Sequence, residues 1–435
     1  MRDLKTRAVF GLAALGVVLG VAGQASASGM GVTEVSAEGL GRANSGEVAD
    51  TGASALFWNP AAIARGPRGL SIGGHYRQDE TVFADVATQI TRPIPPAGLT
   101  LPAGGDGRIE DASPEFAAPH FALALPVGDR FALGVSVFRP FRVQTTFGPD
   151  SWTRYDTVRS KIAVTEVQVA GAARATDWLD LGFGVTANRT DAYYDQAYPN
   201  LDPSAPDGLS RLKADGWNYG FTLGAQAHLE RVTLGLAYRS KIKHELEGDI
   251  ALSGLQGPLA GANFAAPAEA RFATRSTVTV GGRYALTEAT TLNGQVMWSN
   301  WDVYDTLDVS FAGSEVSIPQ RFKDTTSVAL GVDHVLNDAW TVRGGVQYDP
   351  TPTRDTLREP GVFDSDRWIF AAGASVRLQP ALTLNGALAY TRFEDANLAD
   401  LDVFYGGTPA QTVSPLSGAF EGHAVSAALS LDWAF

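Results

Sequence analysis

The sequence predicts an all-β protein, a 14-stranded antiparallel transmembrane β-barrel. Short turns recur about every 50 residues, and each is followed by a stretch in which apolar and small or polar residues alternate. At the carboxy terminus every second residue is apolar, and the last is Phe435. The composition agrees, because 47 glycines and 10% aromatic residues favour long β-strands over helical bundles.

Composition and charge also exclude several classes of function. The 435 residues include no cysteine, so neither a disulfide nor a thiolate metal site can form. There are 34 basic and 47 acidic side chains, and the formal net charge of −13 argues against a nucleic-acid partner. We expect no cofactor and no metal site.

The first 27 residues have the features of a secretory signal peptide. Arg2, Lys5 and Arg7 are followed by 14 uncharged, mostly apolar residues, and Ala25-Ser26-Ala27 fits a small-x-small cleavage site. An uncleaved anchor is the alternative, but 14 residues are fewer than the ~20 that a spanning helix needs. Residues 1–27 are therefore predicted to be removed, which leaves an exported soluble protein or an outer-membrane barrel.

The barrel is predicted over residues 67–435. Two strands separated by a longer connection, such as 191–210, 252–268 or 354–365, lie between successive short turns. Six short turns join twelve strands, and one more strand at each end makes 14, with both termini on the periplasmic side. The turns are 128–130, 176–178, 229–231, 287–289, 337–339 and 379–381. A kelch-like propeller repeats at a similar interval, but it has four short strands per repeat rather than two long ones.

Aromatic residues fit a membrane setting. Trp178 and Trp340 occupy short turns, whereas Tyr238 and Tyr390 lie near the far ends of alternating stretches, as expected for two interfacial girdles. The terminal strand ending in Phe435 resembles the signal that the barrel-assembly machinery recognises. We expect a monomer surrounded by outer-membrane lipid and lipopolysaccharide in a Gram-negative bacterium.

Residues 28–66 lack the barrel alternation and are rich in small residues. The run SAEGLGRANSGE, followed by ASALFWNPA, resembles the N-terminal hatch of the FadL/TodX family. The resemblance implies a hatch, or plug, inside the lumen of an outer-membrane transporter for long-chain fatty acids or aromatic and aliphatic hydrocarbons. It also implies passive transport, with hatch movement and lateral release through the barrel wall. The gating residues predicted from it are Phe57, Trp58, Asn59, Pro60 and Ala61, although Asn59-Pro60-Ala61 can equally serve only to fold the plug.

Two loops are candidates for ligand capture. The connection near residue 255 carries apolar side chains and a single charge, which is unusual for a segment that faces water. A neighbouring loop is rich in tyrosine. The predicted capture residues are Leu252, Leu255, Leu259, Phe264, Tyr193, Tyr194 and Tyr198. The alternative is that these loops pack on each other over the barrel mouth.

Strand alternation predicts a basic patch in the lumen. If Leu236 and Val280 face lipid, the basic residues at odd positions on the same strands face inward. The possible contacts for a fatty-acid carboxylate are Arg239, Lys241, Arg271 and Arg275, with Lys243 and Arg283 on the same faces. Alternatively, these residues pair with acidic neighbours such as Glu166, Glu245 or Glu247.

Two other functions are weighed against transport of hydrophobic molecules. A lipid hydrolase would need an activated nucleophile, but the six histidines are scattered and neither G-x-S-x-G nor H-E-x-x-H occurs. By the same alternation His244 is predicted to face lipid or the outer interface. A water-filled porin for small polar solutes would be obstructed by the plug. The sequence does not place the lateral opening, for which bulges near Pro140 or Gly216 are candidates.

Overall fold

The computed structural model describes residue 31 and residues 35–95, 98–362 and 364–435, so the predicted signal peptide lies outside the described residues. Nearly all of the regular structure is strand. The strands are β1 (Gly69–Asp85), β2 (Gln89–Arg92), β3 (Leu99–Pro102), β4 (Arg108–Glu110), β5 (Phe116–Val127), β6 (Phe131–Thr146), β7 (Arg159–Arg174), β8 (Leu179–Tyr198), β9 (Gly208–His228), β10 (Val232–Arg239), β11 (Ile242–Ser253), β12 (Phe264–Thr274), β13 (Ser276–Ala285), β14 (Thr290–Asn300), β15 (Thr306–Phe311), β16 (Ser314–Pro319), β17 (Thr325–Val335), β18 (Trp340–Asp349), β19 (Arg367–Gln379), β20 (Leu382–Phe393), β21 (Ala396–Phe404) and β22 (Thr412–Ala434).

The strands close into an antiparallel barrel, which confirms the predicted fold. Strands that follow one another along the chain pair around the wall. The wall closes where β1 pairs with β22, from the pair Gly69 and Ala434 to the pair Asp85 and Gly418. The wall has fourteen strands. β10 and β11 are two parts of one wall strand, and β12 and β13 are two parts of the next. All six predicted short turns lie at one end, together with Gly69 and Ala434. The remaining strands extend hairpins at the opposite end, which we call the loop end.

The connections at the loop end are shorter than predicted where strands continue past the membrane. β8 and β9 pair as far as Tyr198–Gly208, so only residues 199–207 of the predicted 191–210 connection lie outside strands. At about 3.3 Å per residue, the 21 residues of β9 exceed the ~30 Å hydrocarbon thickness. The loop-end segments are therefore held well clear of the membrane.

The outer surface carries the apolar band expected of a barrel in lipid. Leu133, Phe183, Leu236, Leu388 and Leu429 are exposed on the outside. Exposed Trp178, Trp340 and Trp433 lie towards the short-turn end, and Trp217, Trp298 and Trp368 lie farther along their strands. Strand alternation therefore gives an apolar outer face with aromatic girdles.

The wall bends where β10 passes into β11. Arg239 pairs with Thr222 of β9, whereas Glu247 pairs with Asp215, so the register shifts by one residue between the two strands. A shift of one residue moves the following side chains to the other face of a sheet. The adjacent strand position is interrupted at the same level, at Arg275, between β12 and β13.

The bend corrects three of the inward assignments and one outward assignment. Lys241, Lys243 and Arg271 are exposed on the outer face rather than in the lumen. His244, predicted to face lipid or the outer interface, is buried between Thr190 and Thr274, which lie 3.0 and 3.1 Å from its ring nitrogens. The inward and outward faces predicted for these residues assume an unbroken strand, but the bulge after Arg239 exchanges the two faces.

A second irregularity opens the wall between β5 and β6. Their pairing ends at Phe121–Val137, and β6 shifts register against β7 between Phe138 and Phe141, around Pro140. Gly31 forms an isolated antiparallel bridge with Phe141 in this part of the wall. The strand segment Phe116–His120 pairs with β1 but with no described residue of β6. By contrast, β9 runs through Gly216 without a break.

Residues 35–66 fold inside the lumen as short helical turns. The α-helix α1 spans Ala37–Gly41, and 3-10 helices span Glu47–Ala49, Ala53–Ala55 and Pro60–Ile63. The first contacts β18–β20 and β22, and the last contacts β7–β9, so the segment crosses the barrel. We call residues 35–66 the hatch. Within the described residues, no helix combines the length and apolar composition needed to span a bilayer.

Candidate ligand pocket and hatch

The hatch is joined to the wall by a buried network of charges. Arg42, whose side chain is 1% exposed, contacts Glu47 and Asp50 of the hatch and Asp333 of β17, the last at 3.4 Å. Arg283 of β13 bridges Asp50 and Asp333 at 3.0 and 3.1 Å. A third base extends the network: Arg343 of β18 contacts Asp333 at 2.9 Å and Glu38 of the hatch at 3.0 Å.

The charges of the network depend on one another. Burial opposes ionisation of Asp50, but Arg283 and Arg42 outweigh it and hold the pKa of Asp50 below its usual range. For Glu47, burial outweighs the attraction of Arg42, and the pKa is raised. Removing one member would leave the others buried with incomplete partners, which typically costs about 3–5 kcal/mol.

Asn59 fixes the middle of the hatch. Its side-chain amide donates to the carbonyl of Val48 at 2.7 Å and to the carbonyl of Ala225 in β9 at 3.1 Å. Its Oδ1 accepts from the amide of Ala61 at 2.9 Å and so caps the helical turn that begins at Pro60. The side chain therefore bonds two parts of the hatch and the wall together.

Wall glycines give the hatch room to approach this closely. A Cβ on Gly224 of β9 would collide with Asn59, and one on Gly182 of β8 would collide with the backbone of Pro60 and Ala61. Strand glycines with this role could not be told from other small alternating residues in the sequence.

A narrow apolar pocket lies between the hatch and the two wall irregularities. Its volume is about 50 Å³, and a cavity needs about 10–15 Å³ to hold one water, so the pocket has room for only a few water molecules. Phe57 and Trp58 line it from the hatch, Pro140 and Phe141 from β6, and Met297 from β14. The pocket meets both the opening beside β6 and the bend at Arg239 and Arg275. It is too small for a fatty-acid chain in this arrangement.

Arg239 and Arg275 are the two cations of the pocket. Arg239 pairs with Glu166 at 2.7 Å, donates to the carbonyl of Phe57 at 2.7 Å, and lies 4.2 Å from the centre of its ring. Arg275 is buried and lies 5.0 Å from the Trp301 ring centre. Of the four predicted carboxylate contacts, the structure brings together only these two.

Lys241 and Arg271 do not reach the pocket. Both lie on the outer face beyond the bend, where Arg271 pairs with Glu269. Glu245 and Glu247, considered as lumen partners for the arginines, are exposed on that face too. The reason is the one-residue register shift, which the alternation alone did not reveal.

The predicted capture residues lie together at the loop end, but mostly inside. Leu252, Leu255 and Leu259 are buried, as are Tyr194 and Tyr198. They belong to one apolar cluster over the barrel mouth, and Phe264 packs against it. Tyr193 is partly exposed beneath Arg159, which lies 4.9 Å from its ring centre. The expected exposed groove is therefore closed in this arrangement, and a role in capture stays a prediction.

Several pocket residues were not identified from the sequence. Phe138 contacts Phe57 at a ring separation of 5.2 Å, and Phe141 and Met297 complete the apolar lining. A useful signal was the Phe-Arg-Pro-Phe sequence at 138–141, because proline inside a strand pattern marks a bulge or an edge.

The fold and the plugged lumen define a class, the outer-membrane barrels closed by an N-terminal hatch. The chain matches the family model described as "Outer membrane protein transport protein (OMPP1/FadL/TodX)" over residues 18–435. It therefore belongs to the OMPP1/FadL/TodX family.

Relatives align along most of their length. Outer membrane protein P1 of Haemophilus influenzae is 24% identical over 416 residues, covering 85% of this chain and 87% of the relative. A long-chain fatty acid transport protein of Escherichia coli is 23% identical over 425 residues, covering 89% and 92%. These homologues are Gram-negative outer-membrane proteins.

Solved structures agree with the fold. A Pseudomonas aeruginosa FadL homologue has a TM-score of 0.81 at 25% identity, covering 93% of this chain and 99% of the other. The Pseudomonas putida toluene transporter TodX has a TM-score of 0.66 at 17% identity, covering 93% and 99%, and shows likeness of fold alone.

We predict that Arg42→Met loosens the hatch, because Glu47 and Asp50 lose a partner in a buried site. In planar bilayers the wild-type protein should conduct little, whereas the variant should show frequent openings. Arg68→Met is the control, since Arg68 is exposed just beyond the hatch. A variant as quiet as the wild type would show that the network does not hold the lumen closed.

Proposed function

We propose that this protein carries out passive transport of hydrophobic molecules across the outer membrane. The observation that carries the proposal is an apolar pocket bounded by the hatch on one side and by an interruption of the wall on the other. An apolar molecule leaves water favourably at about 25 cal/mol per Å² of buried surface, so capture needs no energy-coupling partner.

The route runs from the loop end to the opening between β5 and β6. The molecule enters past the apolar cluster around Leu255 and Tyr198 and reaches Phe57 and Trp58. Because the pocket is smaller than the substrate, the segment Phe57–Ala61 must shift to make room. Release is sideways, beside Pro140, into the outer membrane.

The proposal places both termini and all short turns in the periplasm and the loop end outside the cell. Long loops on the outer side are typical of outer-membrane barrels. Phe435, whose ring lies 4.8 Å from that of Trp433, ends the last strand as the signal for barrel assembly. The protein acts as a monomer and is not an enzyme.

A water-filled porin is the main alternative. The hatch would obstruct a porin. Its ionic contacts with Arg283 of β13, Asp333 of β17 and Arg343 of β18 extend across the lumen. A polar solute would have to displace these contacts without the gain from apolar burial.

Uptake of labelled compounds tests the proposal. Cells that lack their own transporter should take up a long-chain fatty acid or an aromatic hydrocarbon faster when they make this protein, and a small sugar at an unchanged rate. The amount of folded barrel in the outer membrane is measured in parallel. Faster sugar entry with neither hydrophobic compound affected would make the protein a porin.

Arg275, one of the two cations of the pocket, tests which substrate class is carried. If Arg275 holds a carboxylate, Arg275→Met should weaken fatty-acid uptake about tenfold or more, since hydrogen bonds to charged groups contribute about 1.5–3 kcal/mol. Hydrocarbon uptake should be unchanged. Arg271→Met is a matched control, because Arg271 is exposed on the outer face of the adjoining strand. Equal loss of both substrates would assign Arg275 a structural role instead.

A further inference from the structure

Three aspartates meet at the loop end, away from the pocket. Asp156 lies between β6 and β7, and Asp400 and Asp402 lie on β21. One carboxylate oxygen from each lies within 4.8 Å of the other two. Calcium binds oxygen at about 2.3–2.6 Å, so two oxygens on the same ion are at most about 5 Å apart. The spacing therefore fits one calcium ion.

Two of these carboxylates are buried, and in each of them one of the two oxygens has no hydrogen-bond partner among the described residues. Asp156 Oδ1 accepts from the Thr157 hydroxyl at 2.5 Å, and Asp402 Oδ1 accepts from the Gln196 amide at 3.0 Å. The Oδ2 atoms of Asp156 and Asp402 have no partner among the described residues, although the two side chains are 0% and 2% exposed. A buried, unpartnered carboxylate oxygen is costly, so each points to a missing ligand.

Two more buried oxygens near the aspartates lack a partner within the described part of the chain. Gln196 Oε1 is one, on the same amide that donates to Asp402. Glu359 Oε2 is the other, and it comes from the connection between β18 and β19. Amide and carboxylate oxygens are both ordinary calcium ligands.

No cationic side chain in the described part of the chain balances the carboxylates. No ion pair within the described ranges involves Asp156, Glu359, Asp400 or Asp402. Burial, followed by the charge of Asp400, raises the pKa of Asp156, and burial together with Asp156 and Asp400 raises that of Asp402. Burial and the three aspartates likewise raise the pKa of Glu359. A bound cation would supply the positive charge that the described side chains around the cluster do not.

We propose that Asp156, Asp400 and Asp402 bind a calcium ion at the loop end, with Gln196 and Glu359 as neighbouring oxygen donors. The ion would tie together the β6–β7 connection, β21 and the β18–β19 connection. The aromatic contacts of Phe404 with Tyr155 and Tyr198, at ring separations of 6.0 and 5.0 Å, lie beside it. The site lies apart from the hatch and the pocket, but it borders the apolar cluster that contains Tyr194 and Tyr198. Calcium binding is measured directly, so its failure and a failure of the transport proposal are distinguishable.

Direct binding is measured on the full-length protein in detergent after removal of metal with a chelator. Terbium substitutes for calcium and emits when nearby tyrosines absorb; here the Tyr194 hydroxyl bonds the backbone of Asp156 itself. We expect sensitised terbium emission that calcium displaces, with a dissociation constant of about 10⁻⁴ M or lower. Magnesium should compete poorly, because it requires a compact octahedral shell and retains its waters. No sensitised emission, or equal competition by magnesium, would overturn the calcium assignment.

Thermal unfolding of variants separates this site from general cation binding. Calcium should raise the wild-type Tm by several degrees. Asp156→Asn and Asp402→Asn should abolish that shift while leaving the metal-free Tm equal or higher, because each removes a buried negative charge. Asp150→Asn, in the same connection but exposed, should keep the shift. A calcium shift of wild-type size in both Asp156→Asn and Asp402→Asn would contradict the proposal.

Discussion

The ionic contact between the hatch and the wall is the constraint on which the rest of the structure depends. A 14-stranded barrel encloses a lumen that small residues alone would fill only loosely. Arg42 is surrounded by carboxylates from both the hatch and β17, so the hatch has one favourable position relative to the wall. Burying a charged side chain is unfavourable, so these side chains are stable in the lumen only when each is next to its oppositely charged partners. The network therefore specifies where the plug sits.

The position of the plug determines the character of the pocket. When Arg42 is paired with the carboxylates and Asn59 makes its hydrogen bonds, Phe57 and Trp58 are held against the bulged segment of β6. A small movement of this segment would enlarge an apolar space that already adjoins an opening between strands. The Asn59 amide donates to the Val48 carbonyl at 2.7 Å, so a shift of Phe57–Ala61 has to carry the turn at Val48 with it while the hatch stays in the barrel.

The regular parts of this fold could be predicted because they repeat. The six short turns, 14 strand positions, outward apolar face and aromatic end all follow from alternation and its punctuation. The plug was recognisable from SAEGLGRANSGE and the segment ending in Asn59-Pro60-Ala61. Pro140 marked a bulge because proline interrupts strand pairing.

The pocket could be predicted only in part, because it lies where the strands are interrupted by bulges and register shifts. The register shift after Arg239 moves Lys241 to the outer face of the wall and His244 to the inner face. No residue type in that stretch indicates the shift. The pairing of Arg239 with Glu166 is among the alternatives that the sequence offers, but Phe141 and Met297 reach the pocket from distant strands. The carboxylates at the loop end come from residues 156, 359, 400 and 402, a spacing that resembles no metal motif.

The central claim is that the hatch must move for a hydrophobic molecule to pass. The chain has no cysteine, so Val48→Cys with Gly281→Cys would create a single tether between hatch and β13. A Cβ on Gly281 would lie 2.8 Å from a methyl carbon of Val48, which places the two side chains in reach of a disulfide. It would also lie 2.7 Å from the carbonyl oxygen of Gly294, so the strand has to shift slightly to accept it. With the disulfide verified, uptake should fall to background and return on reduction to the level of the Gly281→Cys single variant, while Val48→Cys alone should transport normally. Unchanged uptake by the fully cross-linked protein would contradict the account.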